Sequence, residues 1–305
     1  MLRRAWALPF AIAAACGGAG APRDPHAASR AAADPAAAEA ACATCHAEIA
    51  REHRGSNHAE AFRHATFQEA YAAEPLPFCA GCHAPHADAR APRPPASDLG
   101  VGCLACHAEL GAKAGAARAA GSDAACARCH EFPYPPGVLP GRLLQKTASE
   151  HRASSKAGVS CIQCHMPREG GRRSHAFSAS RDEGRIQSAA AIEARRDGEA
   201  LVITFTRQAA GHAFPTGDVF RRLLVVVTTP AGERRVALGR RTREPAEIDE
   251  RPFADGKDRH EVRVPVGRGP ARWRVVYERV QHPTELDGIA AKVEGSVEVA
   301  SGEVP

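Results

Sequence analysis

Aromatic residues are scarce in this 305-residue chain: two Trp, three Tyr and ten Phe make up 5% of it. Large rings ordinarily supply much of a buried interior, so something else must fill part of the volume. Methionine is scarcer still, at two, which leaves almost no thioether for binding a metal. No apolar run reaches the roughly 18 to 20 residues of a bilayer-spanning helix. The net charge of +5 is modest and spread along the chain, which gives no case for a nucleic-acid partner. Apolar content of 44% and charged content of 25% are ordinary for a globular protein, and the length suggests two domains.

What is present is cysteine, in pairs. Ten of the eleven cysteines fall into one repeated unit: Cys42-Ala-Thr-Cys45-His46, Cys79-Ala-Gly-Cys82-His83, Cys103-Leu-Ala-Cys106-His107, Cys126-Ala-Arg-Cys129-His130 and Cys161-Ile-Gln-Cys164-His165. C-x-x-C-H is the attachment signature of c-type haem. Two thiols three positions apart on a turn reach the two vinyl groups of one porphyrin, and the histidine after the second thiol presents its imidazole to the iron. A zinc knuckle, a redox dithiol or a disulfide framework would explain the cysteines but not a histidine after every pair. The expected cofactors are therefore five covalently bound c-type haems.

The N-terminus carries Arg3 and Arg4, a short apolar stretch from Ala5 to Ala15, and then Cys16. That is a secretory signal, expected over residues 1–15, and not a spanning helix. Two endings fit. Ala13-Ala14-Ala15 suits cleavage after small residues, which leaves a free periplasmic protein. Ala14-Ala15-Cys16 resembles a lipobox with Ala13 in place of the usual Leu, which makes Cys16 a lipid anchor. The segment that follows, residues 16–41, is rich in Ala, Gly and Pro and reads as a flexible tether.

The five sites occupy residues 42–184, one per roughly 28 residues, too little chain to wrap each porphyrin separately. The haems are expected to pack on one another and serve as the core, which accounts for the missing aromatics. A helix is expected from Asn57 to Ala72, with Phe62, Ala65, Phe67 and Tyr71 on its apolar face, ended by Pro75 and Pro77. The stretch Gly141 to Ser155 also reads as helical. From about residue 185 the pattern changes to alternating, β-branched runs: Ala200–Thr206, Leu223–Thr229, Arg234–Leu238, Arg259–Val266 and Trp273–Val280. These predict an antiparallel β-sandwich of six or seven strands over residues 185–305. The fold class is thus α+β multidomain: a mostly helical and irregular haem domain followed by a β-sandwich domain.

Ten histidines lie outside the motifs. A low-spin haem iron takes a second axial ligand, commonly His or Met. Met1 leaves with the signal, and Met166 follows His165 too closely to reach the far side of that haem. The distal ligands are therefore expected among the histidines: His58, His86, His151 and His175, with His212 in Gly211-His-Ala-Phe-Pro-Thr-Gly217 as a fifth. His53 and His64 stand behind them. His26, His260 and His282 read as surface residues.

The stretches Cys42-Ala-Thr-Cys-His-Ala-Glu-Ile, Gly55-Ser-Asn-His58-Ala-Glu-Ala-Phe62, His151-Arg-Ala-Ser-Ser-Lys-Ala-Gly-Val-Ser-Cys161-Ile-Gln-Cys-His-Met-Pro167 and Ser174-His175-Ala-Phe177 resemble the multihaem c-type cytochromes of the cytochrome c-554 kind. The resemblance extends from Cys42 to about Gly217. It implies haem packing shared with multihaem nitrite and hydroxylamine enzymes, and it supports His58, His151 and His175 as distal ligands.

The expected function is electron transfer through closely packed haems in the periplasm, with no catalytic residues. Partners would be redox proteins: a quinol dehydrogenase, periplasmic or outer-membrane cytochromes, or a terminal reductase. The alternative is a reductase or oxidase of small nitrogen compounds such as nitrite or hydroxylamine, which needs one haem with an open distal position. The Cys-x-x-Cys-Lys motif typical of ammonia-forming nitrite reductases is absent. If Cys16 is a lipid anchor, Cys16→Ser shifts the protein from the membrane to the soluble fraction on cell fractionation; unchanged partitioning would exclude the anchor.

Overall fold

A computed structural model describes residues 34–107, 123–135, 139–178, 181–243, 246–281 and 291–305. The signal segment, Cys16, His26 and His282 lie outside the described residues. The expected tether ends earlier than residue 41, because helix α1 spans Pro35–Cys45. Asp34 caps it by accepting hydrogen bonds from Ala36 N and Ala37 N, and Pro35 occupies the first helical position. Both are strong helix-start devices, and they act on a run of alanines.

The haem segment is built from short helices: α2 (Ala47–Arg54), α3 (Ala65–Ala73), α4 (Pro77–His83), α5 (Cys103–His107), α6 (Asp123–His130), α7 (Thr147–Arg152), α8 (Cys161–His165) and α9 (Glu183–Gln187). Two small hairpins interrupt them, β1 (Glu131–Pro133) with β2 (Leu143–Lys146), and β3 (Arg168–Glu169) with β4 (Arg172–Arg173). The helix expected from Asn57 is shorter and starts at Ala65; residues before it run as turns. The stretch from Gly141 is half strand, half helix, because Leu143–Lys146 pairs with β1 before α7 begins.

Residues 190–304 form two antiparallel sheets. One has the order β10-β6-β5, with β5 Ala190–Asp197, β6 Ala200–Arg207 and β10 Arg259–Pro265. The other has the order β12-β11-β7-β8-β9, with β7 Arg221–Thr229, β8 Gly232–Arg243, β9 Ala246–Asp249, β11 Ala271–Val280 and β12 Val293–Val304. All five expected strands are present, and β5, β9 and β12 are additional. A single apolar cluster joins the sheets: Leu201, Ile203 and Phe205 from the first meet Leu223, Val225, Val227, Trp273, Val275 and Tyr277 from the second. Burying one such aliphatic side chain is worth about 1.5–3 kcal/mol, so this half has a protein core of its own.

The haem segment has a much smaller one among the described residues: Phe62, Ala80 and Ala84, with Phe67, Tyr71, Ala87 and Ala89 packed around it. Its ties to the sheets include ion pairs: Lys146 Nζ lies 2.9 Å from both Glu247 and Asp249, and Glu150 pairs with Arg251 at 2.6 Å with both side chains almost fully buried. Removing one partner of such a buried pair typically costs about 3–5 kcal/mol.

This imbalance predicts the effect of withholding haem. In a haem-free chain, amide exchange protection in residues 34–178 should be lost, while β6, β7 and β11 stay protected and unfold cooperatively. Equal protection in both halves would show that the haem segment folds unaided.

Candidate haem centre

Each Cys-x-x-Cys-His unit lies on a helical turn, at the end of α1, α4 and α6 and along the whole of α5 and α8. Residues three and four apart share one face of a helix. Both thiols and the imidazole of each unit are therefore presented on one side, with no further folding needed. In α8 this turn is fixed by a reciprocal capping box between Ser160 and Gln163. The ten thiols form no disulfide.

Thiols of different units meet. The Cys82 and Cys129 side chains are in hydrogen-bond contact, as are those of Cys126 and Cys161. Cys106 lies near Cys126 and Cys129, and Cys103 near Cys42.

The histidines meet across gaps. His58 faces His130 with ring centroids 6.1 Å apart, His107 faces His175 at 6.4 Å, and His165 faces His212 at 6.2 Å with the rings within 12° of parallel. Every pair joins one motif histidine to one histidine from outside the motifs. An imidazole nitrogen binds a transition metal at about 2.0 Å and the ring centroid lies roughly 1.1 Å behind it, so two imidazoles on opposite sides of one iron hold their centroids about 6 Å apart. The residues present therefore fit a bis-histidine iron at three places.

His46 and His83 are the motif histidines outside these pairs, and His86 and His151 the remaining expected distal ones. His151 Nδ1 is held by the Gly211 carbonyl at 2.7 Å, while its Nε2 is buried with no hydrogen-bond partner. His86 Nε2 is likewise buried and unpartnered. A ring fixed through one nitrogen with the other left free is the usual arrangement of a metal-ligating histidine. His83 is fixed in the same way, by the Ala61 carbonyl at 2.7 Å, and stacks on Phe67 at 3.9 Å.

Of the runners-up, His53 spends Nε2 on the Val101 carbonyl at 2.9 Å. His64 precedes α3 and faces none of the motif histidines in a ring contact. His260, expected at the surface, is half-buried on β10 with its ring edge-on to Phe205.

Burial sets the charge state of these rings. It drives the imidazole pKa of His58 down to about 4, aided by neighbouring His130, His53 and His165, and does the same for His130. Burial also brings His212 down to about 4, against the opposing pull of the Ala213 carbonyl. His83, His86, His107, His165 and His175 are lowered by burial as well. A lowered pKa leaves the nitrogen lone pair free at neutral pH, as coordination requires.

Several residues support these rings without being expected ligands. Phe177 stands edge-on between His58 at 4.5 Å and His175 at 5.8 Å. Glu52 accepts a hydrogen bond from His175 N at 2.9 Å and is itself gripped by the Arg172 fork, which holds its carboxyl at about 2. A cavity lined by Glu52, His165, Ser174, Phe177 and Arg185 opens beside these rings and belongs to the same centre.

Cysteine pairs on helical turns, with imidazoles about 6 Å apart beside them, are residues that would hold c-type haem, whose chemistry is one-electron transfer. Comparison with known proteins places the chain further. Residues 41–108, which hold three of the five motifs, match the family described as Cytochrome c554 and c-prime. The fold resembles the crystal structure of a penta-heme cytochrome c552 from Thermochromatium tepidum, with a TM-score of 0.66 over 87% of this chain and 97% of that one, at 21% identity. No curated protein matches the sequence. The chain is thus similar to that family over residues 41–108, and its fold is similar to that penta-heme cytochrome over most of its length.

Gly100 has φ +57°, and a Cβ there would sit 2.5 Å from the backbone oxygens of His58 and Ala59. Gly100→Ala should therefore cost about 2 kcal/mol or more in denaturant unfolding of the holoprotein. It should also displace the low-spin electron paramagnetic resonance (EPR) signal of the His58 haem and leave the others in place.

Proposed function

We propose that this protein is a periplasmic pentahaem electron carrier. The observation that carries the reading is the set of three imidazole pairs at 6.1–6.4 Å, each closing an iron site from both sides. Cys42, Cys45, Cys79, Cys82, Cys103, Cys106, Cys126, Cys129, Cys161 and Cys164 are the thioether anchors. His46, His83, His107, His130 and His165 are the proximal ligands. His58 serves the His130 iron, His175 the His107 iron and His212 the His165 iron. His86 and His151 serve the two that remain, those of His46 and His83. The relative's penta-heme description agrees with five motifs in this chain.

Bound haem supplies one-electron Fe(III)/Fe(II) chemistry. The chain's part is to hold the imidazoles neutral, shield them from water and set the order of the sites. The thiol contacts support an order in which the fourth site neighbours the second, third and fifth, and the first neighbours the third. We read residues 42–184 as the haem-bearing unit and 185–305 as a β-sandwich unit. Export by the N-terminal signal suits covalent haem attachment, and Cys16 would tether the carrier to the membrane. Redox partners would dock through small, salt-sensitive contacts.

The deciding measurement is an EPR spectrum of the oxidised, fully loaded protein. Five low-spin haems are expected. A high-spin iron that binds nitrite or nitric oxide would instead favour a reductase or oxidase of small nitrogen compounds.

A further inference from the structure

The loop between β6 and β7 meets two distal histidines at once. The Gly211 carbonyl holds His151 Nδ1 at 2.7 Å, and the next residue, His212, faces His165. Ser154 Oγ, just past the end of α7, also donates to Gly211 O at 3.0 Å.

Two buried arginines of the sheet unit clamp this loop. Arg207 donates to the Ala210 and His212 carbonyls at 3.0 and 2.9 Å, and its guanidinium lies over the Phe253 ring. Arg251 donates to the Pro215 carbonyl at 2.9 Å through Nη1, and through Nη2 to Glu150 at 2.6 Å. Its fork is completed by Asp249, with Nε to Oδ1 at 2.8 Å and Nη2 to Oδ2 at 2.7 Å. The second oxygen of Glu150 accepts from Thr216 Oγ1 at 2.6 Å. Glu150 immediately precedes His151. One guanidinium thus grips the loop that carries His212 and the helix that carries His151.

We propose that Arg251 is a positioning residue for two haems together: through Glu150 and the Pro215 carbonyl it fixes the His151 and His212 imidazoles relative to one another, so that the two irons respond as a linked pair. A guanidinium suits this role because its planar fork binds several acceptors in fixed directions, which an ammonium cannot. The proposal rests on His151 and His212 being ligands.

The test is EPR together with spectroscopic redox titration of the full-length, haem-loaded protein. Arg251→Met should move two low-spin signals and two midpoint potentials and leave three of each as in the parent. Arg251→Lys, which keeps the charge and loses the fork, should move the same two by less; it decides the question if Arg251→Met does not load haem. Gly211→Ala sets a Cβ 3.3 Å from His151 Nδ1 and reports on the ligand itself. If Gly211→Ala moves no signal, His151 is not a ligand, and the assignment falls together with the proposal. If Gly211→Ala moves a signal while the Arg251 variants move none, only one, or all five alike, the ligand assignment stands and the linkage is wrong.

Discussion

The structure depends on keeping pairs of neutral imidazoles apart. Two rings must stay about 6 Å from centroid to centroid and point at a common centre, although burial would favour closing the gap. Four of the candidate rings are held from behind by a backbone carbonyl: Ala61 for His83, Gly211 for His151, Arg173 for His175 and Ala213 for His212. A carbonyl at Nδ1 fixes both the tautomer and the ring plane and leaves Nε2 to bind. Short helices follow from this demand. Five residues suffice to present two thiols and a histidine on one face, as α5 and α8 show.

The two halves solve the packing problem differently. The sheets bury Leu, Val and Ile side chains against one another, and β7 is buried along five successive residues from Leu223 to Val227. Among the described residues of the haem segment the fully buried apolar ones are Ala80 and Ala84. Alanine brings backbone close to a large flat neighbour without filling the space itself. Aromatics are equally sparse in both halves, seven in residues 42–184 and six in residues 185–305, so what distinguishes the haem segment is its lack of buried Leu, Val and Ile among the described residues.

Legibility in the sequence followed the range of the interactions. The haem motifs are complete within five residues, and all five lie on turns as their spacing implies. Strands β6, β7 and β11 announce themselves by β-branched runs. Strand β5, Ala-Ala-Ile-Glu-Ala-Arg-Arg-Asp, is made of good helix formers, and its state is imposed by eight paired residues along β6. The helix expected from Asn57 loses its first turns because Val101 N takes the His58 carbonyl at 2.9 Å, over a glycine that permits the crossing. Candidate distal histidines could be picked out of the sequence, but which motif ring each would face could not. His107 and His175 are brought together by Glu52, a residue on α2 that ligates nothing, and by a hairpin arginine that holds it.

In the proposed carrier, the placement of His212 gives the sheet unit, with its larger core, a part in the haem centre. An electron carrier works best when its ligands keep the same geometry in both oxidation states, because any movement must be repeated at every transfer. Short helices around porphyrins provide anchoring but little rigidity. A loop between two central strands, held by buried arginines, provides a fixed ligand, in line with the greater precision of sites built on rigid elements. The sheets are in this view part of the redox centre itself. Their core sets how firmly His212 is held, and through Gly211 and Glu150 that firmness reaches His151 on the opposite unit.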